Sequence, residues 1–196
     1  MYSLTQRVLS SATFDAMFLA DHVHPEAGER VMDLGCGTAA ILRAMPDVRY
    51  VGVDRHEPYL RSARRRYGEA AEFIRAGVTD RSFWLDRRFD LVLAIGLLHH
   101  LDDEQCRCVF AHAADHLEDG GRLVALDGAI EPGQSRVARW LIDRDRGQDV
   151  RASRGYAALA EPFFDAVSVS VRDDMIRVPY TYAILECREP RRADLS

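Results

Sequence analysis

The chain has 196 residues, 47% of them hydrophobic and 29% charged, which fits one globular domain and excludes a disordered or fibrous chain. Its formal net charge of −5 gives no general attraction for nucleic acid, and no apolar run reaches the roughly 20 residues that span a bilayer. All 26 basic side chains are arginine, a compositional bias that makes any one arginine pair weak evidence for an anion site.

From the amino terminus, Leu4 to Val23 places apolar residues at helical spacing and predicts one or two amphipathic helices, a cap over residues 1–25. Such a segment either packs on the sheet or covers a ligand. From about Glu29 strand-like and helix-like stretches alternate, the pattern of a parallel α/β sheet filling residues 29–196. Arg30 to Leu34 reads as a first strand, Gly35-Cys36-Gly37 as its turn, and Thr38 to Met45 as a helix stopped by Pro46. Arg49 to Asp54 is a second strand and Pro58 to Tyr67 a helix ended at Gly68. Phe73 to Ala76 is a short third strand, and Phe89 to Ile95 is apolar enough to be central. Asp102 or Asp103 caps a helix to about Leu117, and Glu118 to Gly121 turns into a fifth strand, Arg122 to Asp127. Helices follow around Ser135–Asp145 and Gly155–Leu159. The last two strands, Ala166–Arg172 and Tyr180–Cys187, are too close for a helical crossover and predict an antiparallel pair at the sheet edge.

The cysteines, Cys36, Cys106, Cys108 and Cys187, are scattered, and Met1-Tyr2-Ser3-Leu4 opens no secretory signal. A reducing cytoplasm is therefore expected. Cys106 and Cys108 point to different helix faces, and His112 with His116 has no third ligand, so no metal site is expected and the two histidines are read as surface residues.

A glycine turn between strand and helix lets a ligand approach the backbone. Gly35-x-Gly37-x-x-Ala40, with Asp54 about 20 residues after the turn for ribose hydroxyls, is compatible with a dinucleotide. Asp33 argues the other way. Its carboxylate would repel a pyrophosphate and attract the ammonium of S-adenosylmethionine (SAM).

On these residues the chain resembles the class I SAM-dependent methyltransferases, in particular small bacterial members acting on small molecules. Val31 to Thr38 resembles their first motif, Val51-Gly52-Val53-Asp54 the second, and Leu97 to Asp102 the segment after strand four. The resemblance implies a seven-stranded, mostly parallel sheet with an antiparallel last strand, helices on both faces and the amino-terminal helices over the cofactor. It implies that Asp33 and the backbone of Gly35, Cys36 and Gly37 hold the methionine and ribose end, Asp54 the ribose hydroxyls, and Arg55 the adenine flank. Ile95 and Gly96 would face the amino-acid part. One departure stands out: the acid usual after strand three is absent, its Gly-Asp pair being Ala76-Gly77 here. The backbone of Gly77 and Val78, with Thr79 or Asp80 in place of the acid, is left to read adenine.

A second set concerns the acceptor. His99 and His100 follow strand four at the edge where parallel sheets bind ligands, and either is a candidate base. Asp145 to Arg151 and Pro179 to Tyr182 resemble a D-R-G-x-x-V-R segment and a late P-Y-T-H of the same group, with Tyr182 in place of the histidine. Trp140, Arg146, Arg151, Arg177, Tyr180 and Tyr182 are thus the candidate acceptor contacts. The expected activity is methyl transfer to oxygen or nitrogen of a small molecule, with S-adenosylhomocysteine as product. No nucleic-acid or membrane partner is expected, and the oligomer is a monomer or homodimer. Two alternatives are a SAM-using enzyme that releases methylthioadenosine and a non-catalytic SAM-binding partner subunit.

Overall fold

Seven strands form one sheet in the computed structural model, which describes residues 12–84, 87–144, 149–176 and 178–191. They are β1 (Arg30–Leu34), β2 (Arg49–Asp54), β3 (Ala71–Arg75), β4 (Phe89–Ile95), β5 (Leu117–Gly128), β6 (Phe164–Arg172) and β7 (Tyr182–Pro190), in the spatial order β3-β2-β1-β4-β5-β7-β6. The first five are parallel neighbours, and β7 runs antiparallel to both β5 and β6. The order reverses between β1 and β4, which leaves a crevice beyond their carboxyl ends, the place where open α/β sheets bind ligands.

Helices cover both faces, so the central strands are apolar on both sides. Met32, Leu34, Val92 and Ala94 pack under α3 (Asp103–His116) and α5 (Ser153–Ala160), where Val109, Phe110, Tyr156 and Leu159 are buried. Val31, Leu91, Leu93 and Val124, on the opposite face, pack with Phe14 and Phe18 of α1 (Ala12–Phe18) and Leu60 and Ala63 of α2 (Glu57–Tyr67). This alternation along β1 places Asp33 on the α1 and α2 side. A further helix, α4 (Arg136–Ile142), is capped by Ser135, whose hydroxyl accepts from the Ala138 amide at 3.0 Å. Residues 4–11 of the expected amino-terminal helices lie outside the described residues, and α1 continues into a single π turn, Leu19–Val23, ended by His24 at φ 49°.

Three local expectations change. The helix expected over Thr38 to Met45 is only a short 3-10 turn, Ala40–Ala44, preceded by Ala39 at φ 52°. A left-handed alanine cannot start an α-helix, and Pro46 holds Met45 extended, so little room for a helix remains. The Tyr67 hydroxyl pins this conformation by donating to the Ala39 carbonyl at 2.8 Å. The Glu118–Gly121 turn is drawn into β5 as an irregularity, with pairing passing from Phe89–Leu117 to Leu91–Arg122. Tyr180, expected to begin the last strand, lies just before β7.

Candidate active site

The carboxyl ends of β1 and β2 are stitched together by the turn that leaves β1. The amides of Gly35 and Cys36 both donate to the Val53 carbonyl, at 2.8 and 3.0 Å. Gly35 (φ 72°) and Gly37 (φ 55°) take the left-handed conformations that the turn requires. Asp54 at the end of β2 closes the arrangement, accepting the Gly37 amide at 2.9 Å and the His56 amide at 2.7 Å. Backbone geometry thus fixes the second carboxylate before any ligand arrives.

Asp33 is 3% exposed and accepts a short hydrogen bond from the Tyr50 hydroxyl. Burial raises its pKa to about 7, the Asp54 charge adds to the rise, and the Tyr50 bond opposes it. Among the described residues no arginine pairs with Asp33. A buried carboxylate without a cation is costly, so the site favours a ligand that brings one. Burial, followed by the charges of Asp33 and Asp54, pushes the Cys36 thiol far up, so it stays protonated and is no nucleophile.

These groups open into a cleft of about 830 Å³. Asp33, Gly35, Cys36, Gly37, Asp54, Arg55, Gly77, Val78, Thr79, Ile95, Gly96, His99 and His100 all line it. Thr79 reaches the cleft; Asp80 is not among its lining residues and its carboxylate accepts from the Ser82 amide at 2.8 Å. Phe14, Asp15 and Phe18 of α1 line the cleft as well.

Of the expected acceptor contacts, the four that are described do not line the cleft. Trp140 is 51% exposed on α4, stacks on Arg144 at 4.1 Å and lines a separate shallow groove with Glu131 and Gln134. Arg151 is consumed by the fold: its guanidinium donates to Asp103 and to the carbonyls of Leu98, Leu101 and Asp149 at 2.7–3.2 Å. Tyr180 and Tyr182 are buried in the core, 4.8 Å apart between ring centres; neither lines the cleft, although the Tyr182 ring lies 5.7 Å from that of Phe14, which does. Arg146 and Arg177 lie outside the described residues. His112 is buried against Trp84 and Cys108, contrary to its expected surface position, and its pKa is lowered chiefly by burial.

The sequence reading missed two side chains beside the cleft. Tyr50 holds Asp33, as described. Asp127, 1% exposed near the end of β5, accepts the Leu98 amide at 3.2 Å, the His99 amide at 3.1 Å and His99 Nδ1 at 2.5 Å. The signal for Asp127 was its place: like Asp33 and Asp54, it is an acid at the carboxyl end of a parallel strand.

Residues 31–121 match a family model described as a methyltransferase domain. The fold is that of the class I methyltransferases. Its β3-β2-β1-β4-β5-β7-β6 sheet superposes on the mitomycin 7-O-methyltransferase MmcR with a TM-score of 0.69 at 20% identity, covering 90% of this chain and 53% of that one. In sequence, the chain is 32% identical over 105 residues to the human (Homo sapiens) "Probable tRNA methyltransferase 9B", covering 53% of this chain and 22% of that protein. It is 25% identical over 166 residues to the wheat (Triticum aestivum) phosphoethanolamine N-methyltransferase 1, covering 81% of this chain and 33% of that protein. The chain therefore spans a third or less of the length of these two curated relatives.

Proposed function

We propose that the chain is a SAM-dependent methyltransferase that moves a methyl group to oxygen or nitrogen of a small molecule. The observation that carries this reading is Asp33: a buried carboxylate that no arginine among the described residues pairs with, beside a second carboxylate fixed by a glycine turn. That pair suits a ligand with an ammonium at one end and ribose hydroxyls at the other. Asp33 holds the ammonium, Asp54 accepts from the ribose, and Arg55 flanks the adenine. The backbone of Gly77, Val78 and Thr79 meets the adenine edge, and that of Ile95 and Gly96 meets the amino-acid part. When bound, SAM supplies a methyl group already activated by its sulfonium, so the protein mainly has to align the acceptor and exclude water. Phe14 and Phe18 serve exclusion, and His99 and His100, which also line the cleft, are the candidate bases for the acceptor.

The small-molecule assignment draws support from the relatives named for phosphoethanolamine and mitomycin, and from the net charge of −5. A cytoplasmic setting suits the four free cysteines, three of them buried. Among the described residues no helix is long and apolar enough to cross a membrane. Calorimetry with SAM and S-adenosylhomocysteine tests the binding site, and absence of binding sinks the whole reading. Incubation with SAM and a panel of phenols, amines and bulk tRNA then tests the acceptor class. S-adenosylhomocysteine formed only with tRNA overturns the small-molecule assignment; methylthioadenosine released without any acceptor overturns methyl transfer.

A further inference from the structure

We propose that the side of the cleft bounded by the Ala40–Ala44 turn and α2 is an anion subsite, where Arg66, Arg55 and the Ser62 hydroxyl take the phosphate of a phosphate-bearing acceptor. This rests on the proposed methyl transfer and adds to it the charge of the acceptor and the group by which it is recognised.

The residues assigned to SAM account for only part of the lining. Ala40, Ile41 and Arg43 continue it along the turn after β1, and Tyr59, Ser62 and Arg66 along α2. The Tyr67 hydroxyl, bonded to the Ala39 carbonyl, holds these two walls side by side. Tyr59, Ser62 and Arg66 recur every three or four residues and so share one face of α2, while Leu60 and Ala63 on the adjoining face are buried in the core. That core face fixes which side of the helix looks into the cleft.

Most charges near this wall are already answered. Asp15 is paired with Arg43 at 2.7 Å, and Asp54 accepts the Gly37 and His56 amides. Arg64, two residues before Arg66, is held by Glu57 at 3.0 Å and by the Phe73 carbonyl at 2.8 Å. Arg66 and Arg55 differ. Both line the cleft, yet among the described residues neither makes a hydrogen bond or an ion pair, and the Ser62 hydroxyl has no partner either. With its histidines neutral, the lining carries as many arginines as aspartates. SAM brings an ammonium, a sulfonium and a carboxylate, so the loaded cleft is left with one positive charge in excess. That excess favours an anionic acceptor over a cationic one. One arginine satisfies both oxygens of a carboxylate, whereas a phosphate monoester offers three outer oxygens and up to two charges. Arg66 and Ser62 can meet it from α2 while Arg55 meets it from the end of β2.

Calorimetry with phenyl phosphate, on the free protein and again with S-adenosylhomocysteine present, tests the subsite. One saturable site per chain is expected, shared with inorganic phosphate and not occupied by phenol. Arg66→Ala is expected to weaken it by about 10- to 100-fold and to leave S-adenosylhomocysteine affinity within twofold. Arg61, exposed on the same helix, does not line the cleft, so Arg61→Ala should keep phenyl phosphate affinity within twofold. Equal losses in the two variants would reduce the subsite to a diffuse field, and phenyl phosphate that competes with S-adenosylhomocysteine would place the anion in the cofactor site. Either result overturns the proposal, as does the absence of saturable binding. S-adenosylhomocysteine formation is then followed with 4-hydroxyphenyl phosphate against hydroquinone and with O-phosphotyramine against tyramine. The phosphorylated member of a pair is expected to have the lower KM, and Arg66→Ala to raise that KM by about 10- to 100-fold with the counterpart unchanged. A wild-type enzyme that takes neither phosphorylated member better than its counterpart, turnover of neither included, overturns the acceptor assignment. If SAM does not bind at all, the proposed function falls, and the phenyl phosphate titration of the free protein still decides the subsite.

Discussion

Asp33 is placed where stability and binding oppose each other. Its folded pKa of about 7, against an ordinary 3.8, means that the folded chain holds this proton more tightly than the unfolded chain does. The group therefore adds no cost below the unfolded value, and folding loses stability as pH climbs from 3.8 through 7, on the order of a few kcal/mol at full ionisation. Asp33→Asn keeps an acceptor for the Tyr50 hydroxyl and removes the charge. Its ligand-free melting temperature is expected to exceed that of the wild type by several degrees at pH 8, with the gap shrinking as pH falls and closing only below 3.8, read by scanning calorimetry. The same variant should lose more than about a hundredfold in SAM affinity if the carboxylate meets the ammonium. In the wild type, SAM affinity should improve as pH rises toward 7 and then level off. An affinity that is flat across pH 5.5 to 8 would place the ammonium elsewhere. Gly52 supports this residue from the neighbouring strand, paired with Asp33. A Cβ there would sit 2.7 Å from Cys36 Sγ and 3.0 Å from the rings of Phe73 and Tyr50. Gly52→Ala is expected to cost about 1–3 kcal/mol in denaturant unfolding and to weaken SAM binding through the displaced Tyr50.

At the level of elements, strands were legible wherever their signal was a run of apolar residues bounded by polar ones. β1, β2 and β4 fall within the bounds read from Arg30–Leu34, Arg49–Asp54 and Phe89–Ile95, because buried parallel strands leave no alternation to misread. The segment after β1 was misread because its outcome depends on Ala39 adopting a left-handed conformation that nothing in its residue type announces. The start of α3 was readable for a chemical reason: Asp102 takes the Gln105 amide at 2.8 Å, and Gln105 returns a bond to the Asp102 amide at 3.1 Å. Asp102→Ala should therefore cost about 1 kcal/mol, measured by urea unfolding. The residues read as holding a cofactor reach one cleft because they lie in four short segments at or just after the carboxyl ends of β1 to β4. The link between Asp127 and His99 was not legible, because the two meet only through the β4–β5 pairing, and Arg151 resembles a ligand residue until its bonds to the Leu98–Asp103 segment are seen.

Across the whole molecule, the cleft is closed by a segment that the sheet must hold from a distance. α1 supplies Phe14, Asp15 and Phe18 to the cleft wall, and Asp15 pairs with Arg43 at 2.7 Å. The chain then returns to the opposite end of the sheet, where Arg122 of β5 gathers it. The Arg122 guanidinium donates to the carbonyls of Val23 and His24 at 2.9 Å each and to Glu29 at 2.7 and 3.2 Å. Arg122 and Glu29 are both largely buried, so removing the arginine leaves an acid and two carbonyls without their donor. Arg122→Ala is expected to cost about 3 kcal/mol, and its effect should spread from there to the cleft. Hydrogen exchange over residues 12–24 should quicken by tenfold or more, while the exchange of β1 and β4 changes only with global stability. SAM affinity should fall several-fold although no cofactor contact is touched, because part of the binding energy must now order α1. Saturating S-adenosylhomocysteine should restore much of the lost protection in residues 12–24. If exchange there stays as slow as in the wild type, the packing of Phe14 and Phe18 alone holds α1 in place, and the Arg122 clamp stabilises the fold without governing access to the site.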